Sequence, residues 1–494
     1  RPALLSRGAT LTWAELDARV DRCAAGLRGL GLAEGDRVAV HLPNTLDFPV
    51  VYFGVLRAGL VAVPVNPGHP RPELAQVLGD SGARALVTTR AAGETAQALA
   101  GELPSLDRVV LAGADDAPAG ASTLDALLRT EPGGPLSARG GEDLAVVLYT
   151  SGTSGRPRGA MLSHRALLAN LDQVARIDPP LVTSDDVVLL VLPLSHVYGL
   201  NTALGMVVRQ GATGLLVERF DPVETLEEVR RSDVTALIGA PPMYVAWSML
   251  PDLGEALSGV RLALSGAAPL PAAVLHRIVD ATGRPVFEGY GLTETAPVLT
   301  TTVASETTKA DTIGQPVPGV ELRLVDESGG PVEEGDPGEI VVRGPNLFSG
   351  YWPDGAGGPD ADGWFATGDV AYLDDDGDLH LVDRRRELVL VSGFNVYPRE
   401  VEQVLLAHPD IDDAAVLGVP HPYTGESVKA VVVLREGARL SAEDVVAHCA
   451  RSLARFKCPT VVEFVPELPH SATGKVSKGQ IREQQDRRAA EAAP

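Results

Sequence analysis

Val38-Ala39-Val40-His41-Leu42, then Thr45 to Ala58, then Leu60-Val61-Ala62-Val63-Pro64-Val65 read as an apolar strand, a helix and a second apolar strand, within the span of one βαβ unit. The two runs are almost continuously apolar, so both strand faces are buried, which marks a parallel sheet covered by helices. The alternation continues through Arg71 to Leu78, Ala85 to Thr88 and Val109 to Leu111. After a Gly/Pro/Asp-rich stretch from Ala112 to Gly141 it resumes. Strands near Val187, Gly214, Ala236 and Leu262 alternate with helices near Leu200, Val223, Met243 and Pro271. The fold class is therefore α/β, with a large N-terminal domain of two stacked or continuous parallel β-sheets flanked by helices. From Gly319, the short runs Val320 to Val325 and Glu339 to Val342 lie between Gly/Asp/Pro turns and predict a small antiparallel β subdomain.

Past the charge knot Asp383-Arg384-Arg385-Arg386-Glu387 the texture changes again. Helix Arg399 to Ala407, strands Ala414 to Val419 and Lys429 to Leu434, helix Ala442 to Leu453 and strand Val461 to Val465 make a small C-terminal α+β domain. The expected division is 1–383 and 384–494, with a hinge at 383–387. The charged, Ala-rich tail from Gln484 is expected to fray.

At 494 residues the chain exceeds the size at which a single core keeps growing, in keeping with at least two domains. Its formal charge of -23 opposes nucleic acid and anionic lipid as partners. The three cysteines Cys23, Cys449 and Cys458 form no CxxC or Cys/His cluster, against a disulfide framework or structural zinc and in favour of a reducing, cytoplasmic setting. No apolar run approaches the roughly 18 residues of a membrane span. Oligomeric state is not encoded in any motif, a homodimer being one arrangement the chain allows.

Leu148-Tyr149-Thr150-Ser151-Gly152-Thr153-Ser154-Gly155-Arg156-Pro157-Arg158-Gly159 packs hydroxyls, glycines and cations into one turn after the apolar run Leu144 to Leu148. Glycines let backbone N–H groups face a ligand, hydroxyls donate to phosphate oxygens, and Arg156 and Arg158 offset their charge. Ser163 suits the N-cap of a helix from His164, placing the loop between strand and helix. It is not a Walker loop, because Ala160-Met161 stand where Lys-Ser/Thr would be needed. Taken alone, it is equally a Gly/Ser surface turn. Four further stretches share its density of small and functional residues: Leu192-Pro193-Leu194-Ser195-His196-Val197-Tyr198-Gly199, Glu288-Gly289-Tyr290-Gly291-Leu292-Thr293-Glu294, Gly363-Trp364-Phe365-Ala366-Thr367-Gly368-Asp369 and Pro469-His470-Ser471-Ala472-Thr473-Gly474-Lys475.

In this order, the five segments resemble those of the adenylate-forming enzymes: acyl-CoA synthetases, luciferases and peptide-synthetase adenylation domains. The resemblance covers nearly the whole chain and implies ATP, Mg²⁺, coenzyme A and a small carboxylic acid as ligands. It implies nucleotide contacts from Thr150, Ser151, Gly152, Thr153, Ser154, Gly155 and Arg158, from Gly266, Ala267 and Ala268, and from Glu288, Gly289, Tyr290, Gly291 and Thr293. Asp369 and Arg384 would meet the ribose, whose vicinal hydroxyls donate well to a carboxylate. Glu294 would hold Mg²⁺, a hard cation that needs few protein carboxylates beside a triphosphate. Lys475 would stand between the carboxylate and the α-phosphate, where negative charge concentrates during attack. The catalytic set so implied is Lys475, His196, Thr293 and Glu294.

The acyl pocket implied by the resemblance is His196, Val197, Tyr198, Gly199, Ala240, Pro241, Met243 and Gly291. None of the residues from Val197 to Leu200 is an Asp that could bind an ammonium, and Gly239 to Trp247 is uncharged, so a neutral-tailed acid is expected. Gly393 and Phe394 resemble the lining of a pantetheine tunnel, and Arg386 matches the hinge, usually Lys or Asp in the family. The segments around Gly393, Gly425 and Arg455 are similar to fatty-acyl-CoA synthetases, those around His196 and Ser265 to aryl-CoA ligases such as the coumarate enzymes. A medium- or long-chain fatty acid is the expected substrate, with an aryl acid, or an acyl-AMP ligase activity, as alternatives. Arg158 stands where most relatives carry Lys.

Overall fold

The computed structural model describes residues 1–133, 137, 139–150, 157–305, 309–326, 328–333, 335–384, 387–391, 394–421, 425–471 and 474–491. The chain forms two compact units. One runs to Glu321 and includes Arg343–Phe365; the other comprises Leu322–Val342 and the chain from Ala366.

Among the described residues, the first unit holds two sheets. The seven-stranded sheet has the order Ala121–Thr123, Arg108–Ala112, Ala85–Thr89, Arg37–His41, Val61–Pro64, Leu144–Thr150, Arg158–Ser163. All its pairings are parallel except the last. Helices Asp47–Arg57, Arg71–Ser81 and Gly93–Glu102 make the crossovers. One face packs Val61, Val63, Val65, Leu86, Val109 and Leu111 against Leu74, Val77, Leu78 and Leu99, all at most 4 % exposed. Burying each such side chain is worth about 1.5–3 kcal/mol, which is why these runs have no polar alternation.

The nine-stranded sheet has the order Gln315–Pro316, Val298–Thr301, Phe287–Gly291, Leu262–Gly266, Ala236–Gly239, Val187–Leu190, Thr213–Leu216, Pro2–Ser6, Ala9–Thr12. Its interior pairings are parallel and its two ends antiparallel. The two sheets are separate rather than continuous, and each is mixed rather than wholly parallel. Helix Trp13–Gly29, which the sequence reading passed over, begins on a capping box between Thr12 and Glu15.

In the second unit, strands Glu321–Val325, Gly338–Arg343, Trp364–Leu373 and Leu379–Arg384 form a four-stranded sheet whose last two strands pair antiparallel, the first three strands having ends in the first unit. Asp383, Arg384 and Glu387 lie within this unit. Its other sheet joins Phe394–Val396, Val389–Val391, Gly425–Leu434 and Ile411–His421, with Val461–Phe464 parallel on Gly425–Leu434. Helices Pro398–Leu406 and Ala442–Cys449 cover it over a core of Val401, Leu405, Val416, Val432 and Val445. A helix runs from Lys478 to Glu491 and includes the start of the tail that was expected to fray. Its first residue, Lys478, is 12 % exposed and lies 2.9 Å from Glu387 and 2.8 Å from Glu402, which anchors that helix.

Candidate active site

The nine-stranded sheet gathers segments that are far apart in sequence. Strands Val187–Leu190, Ala236–Gly239, Leu262–Gly266 and Phe287–Gly291 are consecutive and parallel, so their carboxyl ends lie side by side. After the first comes Leu192 to Gly199, after the second Ala240 to Met243, after the third Ala267 and Ala268; Gly289 to Gly291 end the fourth. Val187–Leu190 also pairs with Thr213–Leu216 on its other side, so the chain switches direction across the sheet there. Carboxyl ends at such a switch are where open α/β sheets bind ligands.

On the acyl side, Pro193-Leu194 is held by the buried Asn44, whose amide donates to the carbonyls of Leu190 (3.2 Å) and Leu192 (2.8 Å) and accepts from Leu194 N–H (3.1 Å). His196 Nδ1 accepts from the Tyr198 N–H at 3.2 Å, which leaves the neutral imidazole its proton on Nε2. Burial pushes the His196 pKa down to about 4. Tyr198–Gly205 is a π-helical stretch continuing into helix Met206–Gln210, wide turns of a kind frequent at functional sites. Val197, Tyr198, Ala240 and Met243 are all buried. The Tyr198 ring lies so close to Gly266 that a Cβ there would meet it at 2.9 Å. Among the described residues the buried hydroxyls of Tyr198, Thr202 and Ser265 have no hydrogen-bond partner, and burial drives the Tyr198 phenol pKa far up, so it is a neutral donor. Ala267 is held at φ 71°, a left-handed conformation that is strained for a residue with a Cβ.

Phe287–Gly291 turns back through Leu292 to Pro297 into Val298–Thr301. A Cβ at Gly291 would stand 1.8 Å from the Pro297 carbonyl oxygen, so no other residue fits the turn. Glu288 serves the scaffold: its carboxylate accepts from Leu270 N–H (3.0 Å), and the Thr301 hydroxyl donates to its carbonyl (2.9 Å). Thr293 is half-buried; Glu294 is 8 % exposed. The turn is clamped by side-chain amides that sequence reading missed. Asn201 donates to Ala296 O (2.7 Å) and Asn346 to Thr295 O (2.8 Å). Gln173 donates to Asn346 (3.1 Å), and Asn170 donates to Gln173 (3.2 Å) and to Val298 O (2.8 Å). Scattered single amides leave no motif, so only the fold reveals them. No cluster of three metal-ligating side chains occurs among the described residues, and the buried carboxylate of Glu294 fits a Mg²⁺ whose other ligands are phosphate oxygens and water.

The phosphate-type loop joins strands Leu144–Thr150 and Arg158–Ser163 in an antiparallel hairpin, with Thr150 opposite Arg158. This corrects the strand-to-helix placement: Arg158 to Ser163 pair back before helix His164–Ala175 begins on its Ser163 cap, the cap itself being as expected. Ser151, Gly152, Thr153, Ser154 and Gly155 lie outside the described residues, as do Arg386 and Gly393. The side chains of Arg384 and Phe394 are likewise not described. The guanidinium of Arg158 lies 3.6 Å over the Tyr351 ring.

In the second unit, Asp369 is 7 % exposed, its N–H donates to Thr367 Oγ1 (3.1 Å), and its backbone pairs with that of Arg384 across the antiparallel strands. That register brings the two expected ribose contacts together. Lys475 is exposed, in a loop closed by Ser471 N–H donating to Lys475 O (2.7 Å) and Lys475 N–H to Ser471 Oγ (3.1 Å).

Residues 1–352 match the AMP-binding enzyme family, and residues 400–475 match the AMP-binding enzyme C-terminal domain. The chain belongs to the AMP-binding enzyme family. This AMP-binding enzyme is 40% identical to a feruloyl-CoA synthase of Amycolatopsis over 96% of its own length and 94% of the relative's. It is 36% identical to a long-chain-fatty-acid–CoA ligase of Yersinia pestis over 98% and 92%. Among solved structures, ATP-bound MatB of Rhodopseudomonas palustris has a TM-score of 0.88 at 34% identity, covering 98% of this chain and 95% of that one. With relatives of this kind over nearly its whole length, the enzyme is an AMP-forming acid–thiol ligase. No helix among the described residues is long and apolar enough to cross a membrane.

Proposed function

We propose that the enzyme makes an acyl-CoA in two steps. The acid's carboxylate attacks the α-phosphorus of ATP and expels pyrophosphate, giving acyl-AMP; the CoA thiolate then attacks the acyl carbon and expels AMP. The observation that carries this reading is the convergence of four strand ends beside the buried Glu294 turn. In it, Gly266 to Ala268 and Gly289 to Gly291 border adenine, with Tyr290 packing on it, and the Thr293 hydroxyl donates to the α-phosphate. Thr150, Arg158 and the loop between them take the β- and γ-phosphates. Glu294 would hold Mg²⁺, which when bound screens the triphosphate charge. His196, neutral with its proton on Nε2, borders the carboxylate without competing as a cation. Asp369 and Arg384 hold the ribose, and Lys475 stabilises charge between carboxylate and phosphate.

The small domain from 384 turns about Arg386 between the steps and brings Gly393 and Phe394 to the pantetheine arm, because triphosphate and thiol cannot occupy one carbonyl at once. The free, buried Cys23, Cys449 and Cys458 suit a reducing cytoplasm.

For the acid, the pocket wall is uncharged, which suits both a fatty acid and an aryl acid. The partnerless Tyr198 hydroxyl favours the aryl reading: an alkyl chain would leave that donor desolvated and unpaired, whereas a phenolic or alkoxy oxygen would accept from it. A panel of fatty and hydroxylated aryl acids, scored by AMP release with and without CoA, tests both levels. Hydroxylated aryl acids should turn over best, and Tyr198→Phe should lower kcat/KM for them about tenfold against their deoxy analogues. A best fatty acid together with a neutral Tyr198→Phe would restore the fatty-acid reading. AMP release indifferent to CoA would point instead to an acyl-AMP ligase.

A further inference from the structure

Glu294 and Arg158 are joined by a residue that no motif in the sequence reading singled out. The Tyr351 hydroxyl donates to Glu294 Oε1 at 2.5 Å, and the face of the same ring receives the Arg158 guanidinium at 3.6 Å. The segment bearing Tyr351 is fixed on both sides. Phe348 N–H donates to the carbonyl of Glu294 itself (2.9 Å), so backbone and side chain of the carboxylate are both tied to this strap. On the other side the strap zips to the phosphate-loop hairpin through Ser349 N–H to Met161 O (2.9 Å), Met161 N–H to Gly350 O (3.0 Å) and Trp352 N–H to Gly159 O (2.7 Å). The Phe348 ring packs edge-on to Tyr351 at 5.1 Å. Space around the stack is reserved as well: Gly357 sits at φ 72°, and a Cβ there would lie 3.3 Å from the Tyr351 ring and 3.4 Å from Arg158 Nη2.

We infer that Tyr351 is a positioning residue that fixes the Glu294 carboxylate for Mg²⁺ with its hydroxyl and aligns Arg158 for pyrophosphate with its ring. The inference rests on the proposed role of Glu294. A carboxylate with one oxygen tied by a phenol cannot rotate freely, so its other oxygen keeps one direction toward a cation. A planar guanidinium stacked on a ring keeps its N–H groups in plane, which a Lys in the same place would not do. That gives the Arg at this position a reason in the structure: the ring offers it a flat seat.

The test uses the full chain and α,β-methylene-ATP, which binds but is not adenylated. In Tyr351→Phe, the Mg²⁺ concentration needed for half-maximal binding of the analogue, read by calorimetry, should rise about tenfold. Binding of AMP in EDTA should stay within about twofold of wild type, which also shows that the variant is folded. Glu294→Gln should shift the Mg²⁺ requirement at least as far, and adding Tyr351→Phe to it should shift it no further, because the hydroxyl acts through the carboxylate. If Glu294→Gln is shifted and Tyr351→Phe overlays wild type, the positioning role is wrong. If Glu294→Gln itself is not shifted, the metal reading of Glu294 falls and takes the tyrosine's role with it. Tyr351→Leu should in addition weaken inhibition by inorganic pyrophosphate several-fold, an effect Tyr351→Phe should not have. Equal pyrophosphate inhibition in the two variants would sink the stacking half of the inference.

Discussion

Glu294 sits in a turn gripped from outside by Asn201, Asn346 and Phe348, whereas Lys475 is exposed and its backbone is held by Ser471, four residues away. Both bear charges that the proposed chemistry needs, yet their supports differ in kind. A buried carboxylate must be fixed beforehand, because an acid held loosely in a low-dielectric site loses geometry and solvation together. A lysine on an exposed loop closed by bonds to its own near neighbours can be delivered when required. In the proposed cycle the nucleotide end is built into the scaffold and the lysine end arrives.

The comparison breaks most sharply at the lysine. Lys475→Ala should cost about a hundredfold or more in acyl-AMP formation, leave thioester formation from supplied acyl-AMP within a few-fold, and leave Tm unchanged. A fall in Tm, or equal loss in both half-reactions, would mean that the loop is structural. Asn346→Leu asks the reverse question at the clamp. It leaves Thr295 O and the Gln173 amide without their partner in a buried place and should cost about 2–3 kcal/mol of stability, read by denaturant unfolding, with both half-reactions weakened.

What sequence could and could not see follows the same divide. The strands of the large unit announced themselves because burial on both faces removes polar residues, and the loops at their ends because glycines and hydroxyls cluster there. The hairpin return of Arg158 to Ser163 was hidden, since its outward partner is the strap at Phe348 to Trp352, nearly two hundred positions on, a pairing no local pattern records. Asn44, Asn170, Gln173, Asn201, Asn346 and Tyr351 were hidden for the same reason: each is one polar residue in an ordinary context until the fold brings its carbonyl or carboxylate partner. The helix from Lys478 went unread because the anchors of its first residue, Glu387 and Glu402, are far back along the chain.

Two smaller effects sharpen the contrast. His196 and His41 both have pKa values held down to about 4 by burial, so between that value and the ordinary 6.5 the unfolded chain binds more protons than the folded one. Stability should therefore be full above pH 6.5 and fall as pH drops toward 4, and His196→Gln should flatten part of that slope in Tm. An unchanged slope would show that the imidazole is not desolvated as described. Smallest of all, Arg158→Lys keeps the charge and loses the flat stack on Tyr351. It should raise KM for pyrophosphate in the reverse reaction about two- to threefold, with kcat retained; no change would mean that the ring is an indifferent neighbour.

Gly291 and Gly368 illustrate two different kinds of intolerance to mutation. Gly368 is glycine because of its torsion, φ 78°, with no atom of the described residues within 4 Å of a would-be Cβ. Asn there pays only the left-handed strain, about 1 kcal/mol, and should survive selection. Gly291 has no left-handed torsion, but the Pro297 carbonyl occupies the volume of its missing methyl. In a library of all substitutions, position 368 should return a short alphabet and position 291 a single letter.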